Sequence, residues 1–304
     1  MTKRALILMA TLAALWGSSY MFIKVALDDG LDDMFIVWAR TVLGLLVLAP
    51  IVLQRDALPA IRRRLGWLAL IAIPQVAAPF LLITWGEHHV PSSLAGILVA
   101  SAPIWTAIIV MFIATDERLN ALGIAGVLVG IVGVAFLFGV DLTGDSDALL
   151  GGAAILLAGL GYAIGALTAK RKVPDVPPAG VAASVCAFTA LYLLPTVPFS
   201  VPDAMPGAGT WAALVILGAG SSGIAFLIYY TLNNDIGPSR ASIVAYIAPV
   251  FSVFYGVTFM DEPFTLGAVV GLLLILFGSW LVVDGRLPRR KKAQAATAFV
   301  DTPA

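Results

Sequence analysis

Charge is what this chain has least of. Asp, Glu, Lys and Arg make up 12% of its 304 residues, about half the share of a soluble domain. Apolar residues make up 60%, and mean hydropathy is +0.98, so there is too little polar surface to cover a water-soluble core of this size. The chain is expected in a bilayer. A single cysteine, Cys186, excludes a disulfide framework and any metal site built on several cysteines. The 18 basic and 18 acidic residues cancel. Without a clustered basic surface there is no footprint for nucleic acid. No Asp or Glu stands at the centre of a long apolar run, and the two histidines, His88 and His89, are adjacent, a poor spacing for holding a metal. No metal or cofactor is expected. An intramembrane enzyme would need a buried catalytic set, such as His with carboxylates, and none is offered.

What is present is a series of ten apolar runs, each near the roughly 20 residues that cross a bilayer as a helix. They are 5–27, 34–53, 66–86, 92–114, 120–139, 148–169, 180–200, 211–232, 239–260 and 265–284. Lys3 and Arg4 before the first run mimic a signal peptide, but the run is too long and carries Lys24 near its end, so it reads as a retained first span. With the N-terminus in the cytoplasm, the inner segments collect Lys3, Arg4, Arg55, Arg62, Arg63, Arg64, Arg118, Lys170, Arg171, Lys172, Arg240, Arg286, Arg289, Arg290, Lys291 and Lys292. The outer loops collect no Lys or Arg; the remaining two, Lys24 and Arg40, lie inside spans. Outer segments hold acids instead: Asp28, Asp29, Asp32, Asp33, Glu87, Asp141, Asp145, Asp147, Asp203, Asp261 and Glu262. That bias predicts a multi-pass protein of the cell (cytoplasmic) membrane with both termini cytoplasmic.

The chain also resembles itself. Asp116-Glu117, Gly126 and Gly133 are spaced as Asp261-Glu262, Gly271 and Gly278 are. Pro103 and Pro249 stand 146 residues apart, as do Trp16 and Tyr162, and Lys24 and Lys170. A unit of five helices is odd in number, so its second copy enters the membrane upside down, an arrangement of secondary transporters. The expected fold is therefore all-α: a polytopic membrane protein of ten transmembrane helices in two inverted five-helix repeats, residues 1–140 and 148–284. Residues 285–304 read as a disordered basic and Ala-rich cytoplasmic tail.

Leu15-Trp16-Gly17-Ser18-Ser19 followed by Lys24, then Ala39-Arg40, and above all Gly237-Pro238-Ser239-Arg240-Ala241-Ser242 with Pro249, Glu262, Gly271 and Gly278, resemble the EamA-type permeases of the drug/metabolite transporter superfamily. The resemblance covers 5–284. It implies a ten-helix permease of small metabolites, often an exporter of amino acids or related compounds, with helices 1, 3, 4, 6, 8 and 9 around a central cavity. Half of the chain also resembles the four-helix small multidrug transporters, which depend on a buried carboxylate in their first helix. Here that stretch is Trp16-Gly17-Ser18-Ser19-Tyr20, without an acid, which disfavours cationic-drug/proton antiport of that kind.

At about 1.5 Å rise per residue, the bilayer midplane falls near Trp16, Ser19 and Tyr20 in span 1, and near Gln75 between Pro74 and Pro79 in span 3. It falls near Pro103 with Ser101 and Trp105 in span 4, and near Tyr162 in span 6. In spans 8 and 9 it falls at Ser221-Ser222 and at Pro249 with Tyr246. Trp16, Ser19, Tyr20, Gln75, Ser101, Trp105, Tyr162, Ser222 and Tyr246 are the candidate substrate contacts. Pro74, Pro79, Pro103 and Pro249 are candidate kinks. Each has a plainer reading: mid-span Ser often bonds its own helix, and Trp and Tyr gather at membrane interfaces. Arg40, about 10 Å inside its span by helix rise, calls for a partner, with Glu87 and the acids between Asp28 and Asp33 as candidates; Lys24 is close enough to its end to snorkel. Arg40, Lys24 and Glu87 are thus the gating or charge-pairing set. Phosphorylated substrates are disfavoured by so little positive charge. A neutral or zwitterionic small-molecule solute, an amino acid or relative moved outward by alternating access, fits best. A broad-specificity multidrug exporter is the alternative, and a scaffold or receptor without transport ranks below both. Oligomeric state is left open.

Overall fold

The computed structural model describes residues 2–54, 57–113, 120–140, 142, 145–202, 204–263 and 265–284. Asp116, Glu117 and Arg118, with Arg55, Asp141, Asp203 and the tail 285–304, lie outside the described residues.

The described chain is helical throughout and contains no strand. In lipid a backbone has no water to bond, so each crossing segment satisfies its own amides and carbonyls as a helix. Among the described residues eight helices are long and apolar enough to cross a membrane: α1 Lys3–Asp28, α2 Asp33–Gln54, α3 Leu65–Gly86, α4 Ser92–Phe112, α5 Ala121–Val140, α6 Ser146–Lys172, α7 Pro178–Ser200 and α8 Ala208–Ile236. Two further apolar helices follow, α9 Val244–Phe259 and α10 Leu266–Asp284. The protein is a multi-pass membrane protein.

Several of these helices are not regular, and the residues explain most of it. In α3 the segment Ile73–Ala77 widens into a π-helix. Pro74 has no amide to donate and its ring crowds the carbonyl one turn back, so the local repeat lengthens around it. Pro79 lies just beyond, at the start of the next regular turn. In α4 the helix stops at Val99 and resumes at Ala102. Pro103 therefore sits in a first turn, where its missing amide costs nothing. In α8 a longer π-helix, Ile216–Ile224, holds Ser221 and Ser222. The expected ninth span, 239–260, is divided: Pro238–Ala241 forms one short turn and α9 begins at Val244. Pro249 lies inside α9 without interrupting it.

The connections sort by charge. Asp33 pairs with His88 at 2.8 Å, Lys24 Nζ donates to the Glu87 carbonyl at 3.0 Å, and Thr210 at the start of α8 donates to Asp29 at 2.6 Å. These contacts gather the acidic turns at one end of the bundle, hereafter the acidic end. At the other, basic end, Arg4 pairs with Asp235 at 3.7 Å, Arg64 with Asp175 at 2.9 Å, and Lys172 lies over the Trp67 ring. So α1 runs from the basic end to the acidic end, and α6 runs back. Asp145 caps the start of α6, and Lys170, Arg171 and Lys172 occupy its last turn, each charge complementing the helix dipole.

The packing repeats with a step of five helices. α1 lies on α8 and α9; α6 lies on α3 and α4. α8, α1, α9, α4, α6 and α3 follow one another as neighbours, while α2 packs with α7 and α5 with α10. The last pair meets backbone to backbone: a Cβ on Gly126 would stand 2.6 Å from the Gly278 carbonyl oxygen, and one on Gly133 would stand 2.8 Å from Leu274 Cβ. Only glycine fits such an approach, the way small residues bring membrane helices together.

Candidate functional site

Two groups of polar side chains lie inside this bundle, one at mid-depth and one under the acidic end. The mid-depth group is built on α1, α2 and the π-helix of α8. Widening of the helix at Ile216–Ile224 turns Ser221 and Ser222 toward two different neighbours. Ser221 Oγ donates to the Leu15 carbonyl of α1 at 2.7 Å, an oxygen that also accepts from Ser18 at 3.0 Å and Ser19 at 3.4 Å. Ser222 Oγ accepts from Arg40 Nε at 2.9 Å. Gly44 and Gly218 allow the approach, since a Cβ on Gly44 would lie 3.1 Å from Ser222 Cβ.

Arg40 is 7% exposed. The carboxylate partner expected for it is absent: among the described residues it forms no ion pair, and its guanidinium lies 3.7 Å over the Phe80 ring of α3. Geometry explains the change. Lys24 pairs with Asp28 at 3.8 Å, Asp33 is taken by His88, and the Glu87 carboxyl is turned to no hydrogen-bond partner among the described residues. A hydroxyl and an aromatic face remain, and a weakly hydrated guanidinium accepts both.

The other predicted residues divide. Tyr20 of α1 and Tyr162 of α6 pack against the apolar cluster that includes Ala39, the neighbour of Arg40. Gln75, in the π-helix of α3, packs on Gly165 of α6, and its carbonyl oxygen is buried with no hydrogen-bond partner among the described residues. Trp105 and Ser101 of α4 pack on Gly159, again on α6, with Ser101 donating to the Leu98 carbonyl at 2.6 Å. Trp16 turns instead to rings of α8, 5.4 Å from Tyr229 and 6.4 Å from Phe226. Tyr246 reaches α10, where its hydroxyl donates to the Ser279 carbonyl at 3.2 Å. Ser19 bonds its own helix. Arg40 and Ser222, with Tyr20 and Tyr162, thus make up the mid-depth group, Gln75 faces Gly165 of α6, and Trp16 and Tyr246 stand apart.

The acidic-end group holds the residue that sequence reasoning missed. Asp261 adopts a left-handed φ of 53°, a region most side chains avoid and Asp tolerates. The turn delivers Glu262 to the start of α4. Its two carboxylate oxygens accept from the amides of Ser92 at 2.6 Å and Ser93 at 2.8 Å, satisfying two amides that a helix start leaves bare. Ser252 of α9 donates to the carbonyls of Ser92 and Ser93. Glu262 therefore clasps α4 to the end of α9. The available signal was Pro91-Ser92-Ser93, a helix start whose cap makes no side-chain bond of its own. Beside the clasp, a cleft of about 320 Å³ is lined by Lys24, Asp28, His88, His89, Val90, Pro91, Met260 and Glu262. Among the described residues no group of three or more His, Cys, Asp or Glu is arranged to hold a metal ion.

A profile of the EamA-like transporter family matches residues 3–139 and again 149–284. Transporter YoaV of Bacillus subtilis, described as uncharacterized, is 26% identical over 275 residues, covering 88% of this chain and 92% of its own. YedA of Escherichia coli K12, described as an uncharacterized inner membrane transporter, is 28% identical over 276 residues, covering 90% and 88%. A solved crystal structure superposes with a TM-score of 0.62 at 20% identity, covering 93% of this chain and 98% of its own, which speaks for the fold alone.

Proposed function

Because the chain belongs to the EamA-like transporter family, we infer that it is a secondary transporter working by alternating access, with two five-helix halves rocking about a mid-depth site. The observation that carries this reading is the repeated packing. α1 on α8 and α9 is matched by α6 on α3 and α4, with α1 and α6 running in opposite directions. Two copies of one unit, inserted with opposite sense, have two near-equivalent ways of closing, and a site at their interface is then exposed to each side in turn. The profile's two matches support the division at 1–140 and 148–284. The Lys/Arg bias supports cytoplasmic termini, which makes the acidic end the outer one.

The solute is a small neutral or zwitterionic metabolite, an amino acid or relative, moved outward. Mid-depth offers one cation, Arg40, held by a neutral hydroxyl and a ring, together with Tyr20, Tyr162, Ser222 and the unpartnered Gln75 oxygen. An ammonium-carboxylate pair suits that mixture of one fixed positive charge and neutral acceptors; a phosphate suits it less.

The test is flux of radiolabelled alanine, threonine, leucine and phenylalanine in proteoliposomes. At least one is expected to move, and Gln75→Ala is expected to slow it without lowering membrane yield. Wild-type flux in Gln75→Ala would remove that residue from the site. Movement of hydrophobic drugs and of none of these amino acids would make the protein a multidrug exporter instead.

A further inference from the structure

Glu87, at the turn from α3 to α4, is a buried ionisable group that the clasp and the mid-depth group leave unused. It is 0% exposed, and neither of its carboxyl oxygens has a hydrogen-bond partner among the described residues. The charges around it are engaged elsewhere. Lys24 bonds the Glu87 backbone carbonyl, not its carboxyl, and pairs with Asp28. Glu262 gives both oxygens to α4 amides, and Arg40 is turned to Ser222 and Phe80. A carboxyl enclosed without donors is held neutral until water reaches it.

Every element packed on the turn bears on that balance. From α1 come Tyr20, Lys24 and Asp28; from α2 come Arg40 and, through His88, Asp33; from the turn after α9 comes Glu262. Its own turn carries His88 and His89. α6 packs on Gly86 through Ile155 and keeps its acids Asp145 and Asp147 exposed at its start, with Tyr162 farther along. Burial first, then repulsion from Glu262, pushes the Glu87 carboxyl well above the usual carboxylate range, against the pull of Lys24 and Arg40. The cleft lined by Lys24, Asp28, His88 and Glu262 lies alongside, and Tyr20 and Arg40 couple to Glu87 from the interior side.

We propose that Glu87 is the proton-binding residue of this transporter, taking a proton from the cleft before the acidic end closes and releasing it to the interior when the basic end opens. The step is a protonation of one carboxyl oxygen from water and its reversal; nothing is oxidised or reduced. Closing the acidic end over an ionised Glu87 would strand a charge with no donor, so closure waits for the proton. An inward pH gradient then drives outward movement of the solute. This rests on the transport reading, and the experiment separates the two.

Two measurements on full-length protein decide it. Purified wild type, titrated by infrared difference spectroscopy, is expected to show a carboxyl still protonated at neutral pH. That band should be absent from Glu87→Gln, and its midpoint should move to lower pH in Glu262→Gln, which removes a repelling charge. In proteoliposomes loaded with the same four amino acids, an imposed pH gradient is expected to stimulate wild-type efflux several-fold. In Glu87→Gln the ratio of gradient-driven to symmetrical flux falls to unity, whatever its absolute rate. A protonated band that survives in Glu87→Gln, or undiminished gradient stimulation in that variant, overturns the proposal. So does stimulation by a sodium gradient in place of a proton gradient. If none of the four solutes moves in wild type, the cargo reading fails and the infrared titration alone decides the proton site.

Discussion

Arg40 carries more of this structure than its sequence position announces. A cation at mid-helix costs roughly 2.5–3.5 kcal/mol on insertion scales, and here its compensation is one hydroxyl and one ring, Ser222 and Phe80. Both contacts depend on the flat guanidinium. Arg40→Lys keeps the charge but loses the Nε bond and the guanidinium over the Phe80 ring, leaving a compact ammonium that wants more water than the site holds. The expected result is a loss of about 1–3 kcal/mol, read as a lower midpoint of thermal unfolding in detergent, with Ser222→Ala losing less. Equal midpoints for Arg40→Lys and wild type would show that the pocket does not discriminate the two cations. The need for a partner was legible from depth alone. Its identity was not, because nearby acids are the natural candidates in sequence and only the fold shows Lys24 and His88 occupying Asp28 and Asp33.

At the scale of the helix, long apolar runs were legible because lipid demands both length and composition from any segment that crosses it. Irregularities inside the runs were legible only where a residue forces them. Pro74 marks the π-helix of α3; the longer one in α8 has no proline, and its run of Gly and Ser merely permits it. The break before α9 likewise falls at Ser242–Ile243, away from Pro249. Glycine spacing was more informative, since Gly126 and Gly278 do meet at the α5–α10 crossing. There a larger side chain has no space, because the obstacle is backbone. Gly126→Leu is expected to separate the two helices and cost about 1–3 kcal/mol by overpacking, seen as reduced yield of folded protein and a lower unfolding midpoint. Gly66→Leu near the start of α3, where no described atom stands within 4 Å of a Cβ, should behave as wild type. Equal losses for the two would mean that the crossing is not close-packed.

For the whole molecule, the proposed alternating access makes the contacts between α4 and α9 the ones that an opening at the acidic end has to break. A Cβ placed on Gly256 would lie 3.0 Å from Ser93 Cβ and closer still to the Glu262 carboxylate; the first distance is slightly inside the roughly 3.5–4.5 Å of a disulfide, so two cysteines there can join once the Glu262 side chain gives way. On a Cys186→Ser background, Ser93→Cys with Gly256→Cys is expected to lose flux on oxidation and recover it on reduction. Flux that survives complete cross-linking would mean that α4 and α9 stay together through the cycle and that the halves part elsewhere. The clasp also explains why charge totals say little about such a protein. Net charge is zero, yet among the described residues most acids gather at one end and most bases at the other, and the buried Arg40 and Glu87 sit where the helices meet.

The Leu15 carbonyl has three hydroxyls within reach: Ser18 and Ser19 from its own helix and Ser221 from α8. If α8 slides along α1, Ser221 lets go of an oxygen that already has understudies. Breaking the contact forfeits one net hydrogen bond, about 0.5–1.5 kcal/mol, without stripping a buried acceptor of every donor, a penalty of about 1–3 kcal/mol. The Leu15 oxygen thus stays satisfied if α8 shifts, and the cost falls on Ser221, itself buried, whose hydroxyl must find another acceptor.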